Sequence, residues 1–493
     1  MIQQNLPVLQ IIVPLIAAPL CVLLRRRSLV IGFTIGICWL VFGMSLALLE
    51  RVLTDGVIQY QLGGWAAPWG IEYRIDLLSG FVLLFVSAIG ALVMTYSPRS
   101  IASEIPEGRH YLFCTVYLLC LTGLLGIAIT GDLFNLFVFL EISALSSYTL
   151  IAMGGRRQAL PAAFQYLVMG TIGATFILIG IGLMYMTTGT LNMADMAARL
   201  PTESGLRTVL VAFGFLTVGI SLKMALFPLH LWLPNAYAYA PSAVTAFLAA
   251  TATKVSVYIF LRFVFSVFGT EFVFEAKALD TILMPLSIAG IFVASTVAIF
   301  QTDIKRMLAY SSVAQIGYMT LGISFATVTG LTAGIVHLFN HALMKGGLFM
   351  AMGCIMLSLQ SVDLEDMRGL GRRMPFTMMA WVIGGLGLIG VPVTVGFISK
   401  WYLIRAALEQ GWWWIGVLVL LSSLLALAYV WRVVEAAYFK EPIDPGLEVK
   451  EAPLSMLVPT WIVIGATIVF GLLTTRSAGV ARMAAEALLG SSP

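Results

Sequence analysis

The sequence predicts an all-α integral membrane protein of about fourteen transmembrane helices. Three observations predict it. Hydrophobic residues make up 60% of the 493-residue chain and charged residues only 11%, whereas a soluble globular domain carries about 25% charge. Apolar runs of the roughly 20 residues needed to cross a bilayer recur from the first residues to about position 475. Those runs are continuous rather than alternating, which argues against a β-barrel. No polar linker or charge-rich boundary divides the chain into the roughly three soluble domains that its length would suggest.

Hydropathy places the spans at 8–23, 29–50, 77–96, 111–130, 133–153, 161–187, 207–227, 241–267, 279–300, 308–326, 331–358, 376–406, 411–440 and 456–475. The first run has the apolar core of a signal peptide. It lacks a basic leader, and Arg25, Arg26 and Arg27 follow it rather than precede it, so it reads as a retained span. The five cysteines (Cys21, Cys38, Cys114, Cys120 and Cys354) lie inside apolar runs without a CxxC pair. They read as small hydrophobes rather than disulfides or metal ligands. The tryptophans of "GWWWIG" (411–416) read as an interfacial belt.

Basic residues orient the spans. With the N-terminus outside, the inner loops hold Arg25, Arg26, Arg27, Arg99, Arg109, Arg156, Arg157, Lys305, Arg306, Arg368, Arg372, Arg373, Lys440 and Lys450. The outer side holds the smaller set Arg51, Arg74, Arg199, Arg207, Lys277, Arg405, Arg476 and Arg482. Both termini are therefore placed outside. The net charge of +4 follows from this bias and implies no nucleic acid. Asp132, Arg156 and Arg157 sit at loop edges and read as interfacial anchors. Arg262 and Arg432 lie near span ends and are expected to snorkel to the interface.

The remaining charges are inside spans. A charge at the bilayer centre costs a few kcal/mol, so such groups face a bundle interior or a wet cavity and are functional candidates. Glu141 stands in "LFNLFVFLEISALSSY", Lys223 in "GISLKMALFPLHLWLP" and Lys254 in "FLAATATKVSVYIF". His337, His341 and Lys345 stand in "VHLFNHALMKGGLF", and Lys400 in "GVPVTVGFISKWYLI". Residues four apart turn by about 40° around a helix, so His337, His341 and Lys345 form one stripe, and Lys254, Tyr258 and Arg262 another. Glu141 and Tyr148, seven apart, also share a face.

Polar seams of this kind hold water and pass protons. A poorly hydrated ammonium gives up its proton more readily, and a nearby carboxylate opposes that, so moving the carboxylate switches the amine between states. Each residue also has a plainer reading. Glu141 and Lys223 would make a structural ion pair. Lys254 would pair with a backbone carbonyl, and Lys345 and Lys400 would be purely structural. The two histidines would be packing groups. No carboxylate or cysteine lies near the HxxxH pair to complete a zinc site, so no metal is expected.

Two spans are interrupted by proline beside a buried lysine: Phe227-Pro228 after Lys223, and Val391-Pro392 before Lys400. Breaks at membrane depth are tolerated where protein or water satisfies the freed backbone. Paired breaks point to inverted repeats with the working site beside them. The broken spans are the seventh and twelfth, which fits two five-helix units, spans 4–8 and 9–13. The expected divisions are 1–110, 111–267, 279–440 and 441–493.

The chain resembles the antiporter-like proton-translocating subunits shared by respiratory complex I (NADH:quinone oxidoreductase) and the multisubunit Mrp cation/proton antiporters, including the D-type subunit of the latter. The resemblance covers most of the length. It is carried by "FLEISALSSY", "SLKMALFPLHLWLPNAYAYAPS", "ATATKVSVYIFLR", "TDIKRMLAYSSVAQIGYM", "HLFNHALMKGGLFM" and "VGFISKWYL". No charged position departs from that pattern.

The resemblance implies fourteen helices with two inverted five-helix repeats. It implies that Glu141 and Lys223 are the input pair, Lys254 the bridge, His337, His341 and Lys345 the continuing relay, and Lys400 the terminal carrier. It implies a proton-translocating subunit of a multisubunit Na⁺/H⁺ antiporter in the cell (inner, plasma) membrane, working beside other membrane subunits. The alternative is a proton-pumping subunit of a complex I-like oxidoreductase or membrane-bound hydrogenase. The chain is expected to be a transporter subunit rather than an enzyme in itself. It has no flavin, haem or iron–sulfur motif, so no cofactor is expected. The regular set of buried charges argues against a purely structural scaffold.

Overall fold

The computed structural model describes residues 2–203, 207–276, 278–444, 446 and 448–490. Lys277, counted above on the outer side, lies outside the described residues. In chain order the helices begin with α1 (Ile2–Leu24), α2 (Arg27–Asp55), α3 (Leu77–Glu104), α4 (His110–Ile129), α5 (Leu133–Ala152), α6 (Ala159–Thr188) and α7 (Met193–Glu203). They continue with α8 (Arg207–Met224), α9 (Trp232–Tyr239), α10 (Ser242–Leu261), α11 (Asp280–Ile299), α12 (Ile304–Ser324) and α13 (Val328–Leu359). The last are α14 (Leu370–Arg373), α15 (Pro375–Ile389), α16 (Val395–Glu409), α17 (Trp413–Phe439), α18 (Leu454–Leu472) and α19 (Thr474–Leu488). A two-stranded antiparallel hairpin, β1 (Ile58–Gln61) and β2 (Glu72–Ile75), joins α2 to α3.

Among the described residues, twelve helices are long and apolar enough to cross a membrane. They match twelve of the fourteen expected spans. The tenth expected span is α12, whose 21 residues are long enough but carry a polar face. The twelfth is the broken pair α15–α16, each half 15 residues and too short to cross alone.

Both breaks form where expected. After Lys223, α8 stops, Ala225 takes a φ of 60°, and the chain turns through Pro228 before α9 resumes. After Ile389, Gly390 takes a φ of 89°, a conformation that glycine reaches without steric cost. The two halves then cross so closely at Gly396 that a Cβ there would overlap the Gly387 carbonyl.

A backbone lock occurs twice. Asp132 bridges Asn192, flanked by Leu133 N–H to Leu191 C=O and Met193 N–H to Gly131 C=O. Asp303 bridges Asp363, flanked by Ile304 N–H to Val362 C=O and Leu364 N–H to Thr302 C=O. Every position in the second lock is 171 above its counterpart (303 − 132, 363 − 192), as two copies of one unit require. The first lock opens the fifth span and the second opens the tenth. Successive crossings alternate in direction, so the copies are inverted.

The longest helix, α13, runs 32 residues through the centre of the bundle. It packs on α3, α10, α12, α15, α16, α18 and α19. Its histidines and lysine are therefore enclosed by protein rather than lipid. All five cysteines are free and buried.

Candidate functional site

The structure gathers the sequence-predicted residues into two groups with α10 between them. The first is the ion pair. Lys223 stands in the last turn of α8, and its Nζ lies 3.4 Å from Oε1 of Glu141 in the middle of α5. The last carbonyls of a helix carry partial negative charge and favour a cation there. The lysine is 6% exposed, the glutamate side chain 28%.

A cavity of about 30 Å³ opens beside the lysine, lined by Ser143, Ser147, Tyr166, Lys223 and Ser256 among apolar groups. That volume has room for one or two waters. The end of α8 is propped by a stack of rings. Tyr148 meets Tyr166 edge-on at 4.6 Å between centroids, Tyr166 stacks flat on Trp232 at 3.9 Å, and Trp232 Nε1 donates to the Leu222 carbonyl at 3.0 Å. Tyr148, expected on the Glu141 face, is thus part of the support of Lys223.

The second group runs along α13 to α16. Lys254, His337, His341, Lys345 and Lys400 are all 5% exposed or less. Among the described residues none of the five has an ion-pair partner. Lys254 donates to the Ala249 carbonyl and to Thr253 Oγ1. Lys345 donates to the Leu308 carbonyl at 2.7 Å and to Ser311 Oγ. His341 lies within electrostatic reach of Lys254, Lys345 and His337. Among the described residues both of its ring nitrogens are without a hydrogen-bond partner, as is Nε2 of His337. The two imidazoles are parallel, 6.0 Å apart. His337 Nδ1 is 2.7 Å from Ser399 Oγ, one residue from Lys400.

Lys400 sits at the second break. Its ammonium donates to the carbonyls of Leu388 (3.2 Å) and Ile389 (2.9 Å), the last of α15, and to Ser423 Oγ (2.9 Å). It also lies 4.9 Å from the centre of the Tyr318 ring, within cation–π range. Each broken span therefore places one ammonium at the carboxyl end of its first half. In the first span the lysine belongs to that half, and in the second it reaches back from the half that follows.

The two groups are not in direct contact. The cavity beside Lys223 is lined from α10 by Ala252, Val255, Ser256 and Ile259. Lys254 lies about 100° or more around the helix from each of them, on the face turned to α13. Among the described residues no three His, Cys, Asp or Glu converge as metal ligands.

Several expectations are corrected. Arg262 does not snorkel. It is buried and pairs with Asp76 at 2.5 Å, with Ser79 Oγ and the Tyr258 hydroxyl each 2.9 Å away. This draws Tyr258 and Arg262 out of the Lys254 stripe into a separate anchor between α3 and α10. Arg432, also near a span end, caps α11, donating to the carbonyls of Ile299 and Gln301. Asp132 stands at the loop edge as expected and caps α5 there: its carboxylate accepts the Asn135 amide at 2.7 Å. Burial pushes its carboxyl above the usual range, against the pull of that amide.

Lys305, counted as a loop charge, is 1% exposed. It donates to Ser242 Oγ at 3.0 Å, and that hydroxyl also contacts Glu104 Oε2 at 3.2 Å. Sequence reasoning passed over Glu104 and Asp76, since their partners lie far away in the chain. It also passed over His230, buried in the first break with Nδ1 unpartnered. Its place in "FPLHLWLP" was the available signal.

The comparisons with known proteins follow the same lines. A sequence model of the family described as NADH:quinone oxidoreductase/Mrp antiporter, TM, matches residues 130–426. The N-type subunit of the NADH-quinone oxidoreductase of Desulforudis audaxviator (strain MP104C) is 41% identical over 483 residues, covering 95% of this chain and 96% of that protein. The D-type subunit of the Na(+)/H(+) antiporter of Bacillus subtilis (strain 168) is 30% identical over 487 residues, covering 98% and 97%. Among solved structures, a chain of the membrane-bound sulfane sulfur reductase, an archaeal respiratory membrane complex, superposes with a TM-score of 0.91 at 31% identity over 98% of both chains.

Proposed function

The chain belongs to the NADH:quinone oxidoreductase/Mrp antiporter transmembrane family, and on that premise we propose that it is the proton-translocating membrane subunit of a multisubunit Na⁺/H⁺ antiporter. Glu141 and Lys223 form the input pair. Lys254 bridges the two groups, His337, His341 and Lys345 continue the path, and Lys400 ends it. The observation that carries this reading is the Lys223–Glu141 pair at a helix break, beside a cavity with room for water. Weakening that pair leaves an ammonium in a poorly hydrated site, which favours release of its proton. The path crosses α10 by side-chain movement of Lys254 between its two faces.

The protein sits in the cell membrane as a multi-pass chain with both termini outside. Its partners are other membrane subunits. Residues 111–267 and 279–440 are its two five-helix units, flanked by 1–110 and 441–493. Arg74, Arg199 and Arg405 face the outside, while Arg156, Arg368 and Arg372 face the inside.

A second reading has a specific observation behind it. The identity to the N-type oxidoreductase subunit, 41%, exceeds the 30% to the D-type antiporter subunit. In that reading the same relay is driven by electron transfer in partner subunits. Everted vesicles carrying the whole complex separate the two. The antiporter reading expects a NaCl pulse to collapse a preformed pH gradient without an electron donor. Proton uptake that requires an electron donor and ignores NaCl would transfer the relay to the redox-driven assembly.

A further inference from the structure

Many basic side chains at the rim of the bundle are neutralised where they stand. Arg51, Arg199, Arg405 and Arg482 each pair with an acidic residue four positions away. Arg368, Lys440 and Lys450 each lie within 3.4 Å of a glutamate. One corner departs from this. Arg25, Arg26 and Arg27 follow one another where α1 turns into α2, and Arg99 and Arg109 stand where α3 gives way to α4. All five are exposed. Among the described residues only Arg27 has an ion-pair partner, Glu107 at 3.7 Å. Glu104, the other acid between α3 and α4, is instead engaged by Ser100 and Ser242.

The two turns meet. Arg27 Nη2 donates to the Pro98 carbonyl at 3.3 Å, next to Arg99. The Arg25 guanidinium lies 6.0 Å from the centre of the Tyr111 ring, two residues beyond Arg109. Behind them α1 packs on α4 and α2 on α3. Arg25 takes a φ of 41°, uncommon for a residue other than glycine, in a link of only two residues between α1 and α2. That tight link keeps three consecutive guanidiniums at one point. Like charges gathered this way repel one another, and an anion among them reverses the sign of the interaction. The planar guanidinium fork matches phosphate oxygens.

The flank of the corner is apolar. Ile16, Leu20 and Leu23 are spaced by four and three residues on α1 and form one stripe that runs up to the arginines. They are 55%, 41% and 78% exposed. Leu29, in the first turn of α2, is also exposed. A cationic corner above a lipid-facing apolar stripe has the two-part chemistry of a phospholipid. An acidic protein segment would use the corner and leave the stripe.

We propose that this corner is a headgroup site for an anionic phospholipid. The phosphate lies among Arg25, Arg26, Arg99 and Arg109, and an acyl chain follows Ile16, Leu20 and Leu23. The lipid joins the α1–α2 turn to the α3–α4 turn. Binding here involves no proton movement and is independent of the relay.

The probe is dioleoylphosphatidylglycerol, added to the whole complex after delipidation in neutral detergent, with dioleoylphosphatidylcholine as its uncharged counterpart. Native mass spectrometry counts the bound lipid. The wild type should hold one glycerol lipid per copy of this chain about tenfold or more tightly than the choline lipid. Arg25→Gln, Arg26→Gln, Arg99→Gln and Arg109→Gln together should abolish that preference, with about fivefold lost per guanidinium. Lysine at the same four positions should keep most of it. Arg368→Gln, Arg372→Gln, Arg373→Gln and Lys440→Gln together remove the same charge from the same end of the bundle and should leave it unchanged. Equal retention of the two lipids by the wild type overturns the site, as does undiminished glycerol-lipid binding by the first glutamine variant. An equal loss in the second variant would reduce the effect to bulk charge and overturn it too. Loss of a partner subunit from the first variant with its lipid retained would give the corner to an acidic protein instead. Should the first variant fail to assemble, the wild type decides: it should shed the glycerol lipid as salt rises from about 0.05 to 0.5 M, and unchanged retention overturns the site.

Discussion

Lys223 and Glu141 meet at 3.4 Å although 82 residues separate them, one at the end of a half-helix and the other midway along an unbroken one. The two partners move with different elements. A shift of α8 against α5 is sufficient to change their separation, and at the low effective dielectric of a bundle interior the attraction changes steeply with distance. In the proposed relay, this makes the pair the point where conformation and protonation would meet.

The ring stack behind Lys223 is expected to matter for transport without touching a proton. A Cβ at position 170 would fall on the Tyr148 hydroxyl. Gly170→Ala should displace Tyr148, disturb Tyr166 and Trp232, and move the end of α8. Transport should drop severalfold while the complex still assembles, read from vesicle uptake beside the yield of intact complex. Unchanged uptake would separate the stack from the function of Lys223.

Asp76 and Arg262 should act mainly on stability. Removing one partner of a buried pair costs about 3 kcal/mol or more, so Arg262→Ala should lower the melting temperature of the purified complex, and Arg262→Ala with Asp76→Ala should recover part of the loss. Burial pushes the Asp76 carboxyl up, but the Arg262 guanidinium and the Ser79 amide outweigh it and hold the group below the usual carboxylate range. A folded value below the unfolded value of about 3.9 gives stability that is present above about pH 4 and lost as the pH falls further. Melting scans should show a step in that window that Asp76→Asn abolishes.

Lys305 is expected to hold the repeats together. It begins α12 in the second unit, and Ser242 begins α10 in the first. Lys305→Ala, which leaves the Glu104 carboxylate and Ser242 without their cation, should destabilise the complex by about 2 kcal/mol or more. Lys305→Met, which keeps the buried stem, should cost less. Equal melting temperatures for the two variants would mean that packing of the stem has no part in it.

The fold was largely legible because each span is a long apolar run and the two breaks carry proline. The candidate relay residues stood out for the same reason, since a charge inside such a run is conspicuous. The hairpin β1–β2 was not, because its strands have four residues each and little apolar signal. Neither were α7 and α19, whose polar composition reads as loop. The pairings of Arg262 with Asp76, 186 residues away, and of Lys305 with Glu104 through Ser242, depend on tertiary contacts that no local pattern encodes. Arg262 and Lys305 lay at span ends, where sequence reasoning sends a basic side chain to water. The fold instead covers both with neighbouring helices.

The central claim is that Glu141 and Lys223 gate proton movement, and proton uptake by everted vesicles tests it most directly. Glu141→Ala and Lys223→Ala should each abolish coupled uptake while complex assembly, read by size-exclusion chromatography of the solubilised membranes, stays intact. Uptake at the wild-type rate in both variants would contradict it.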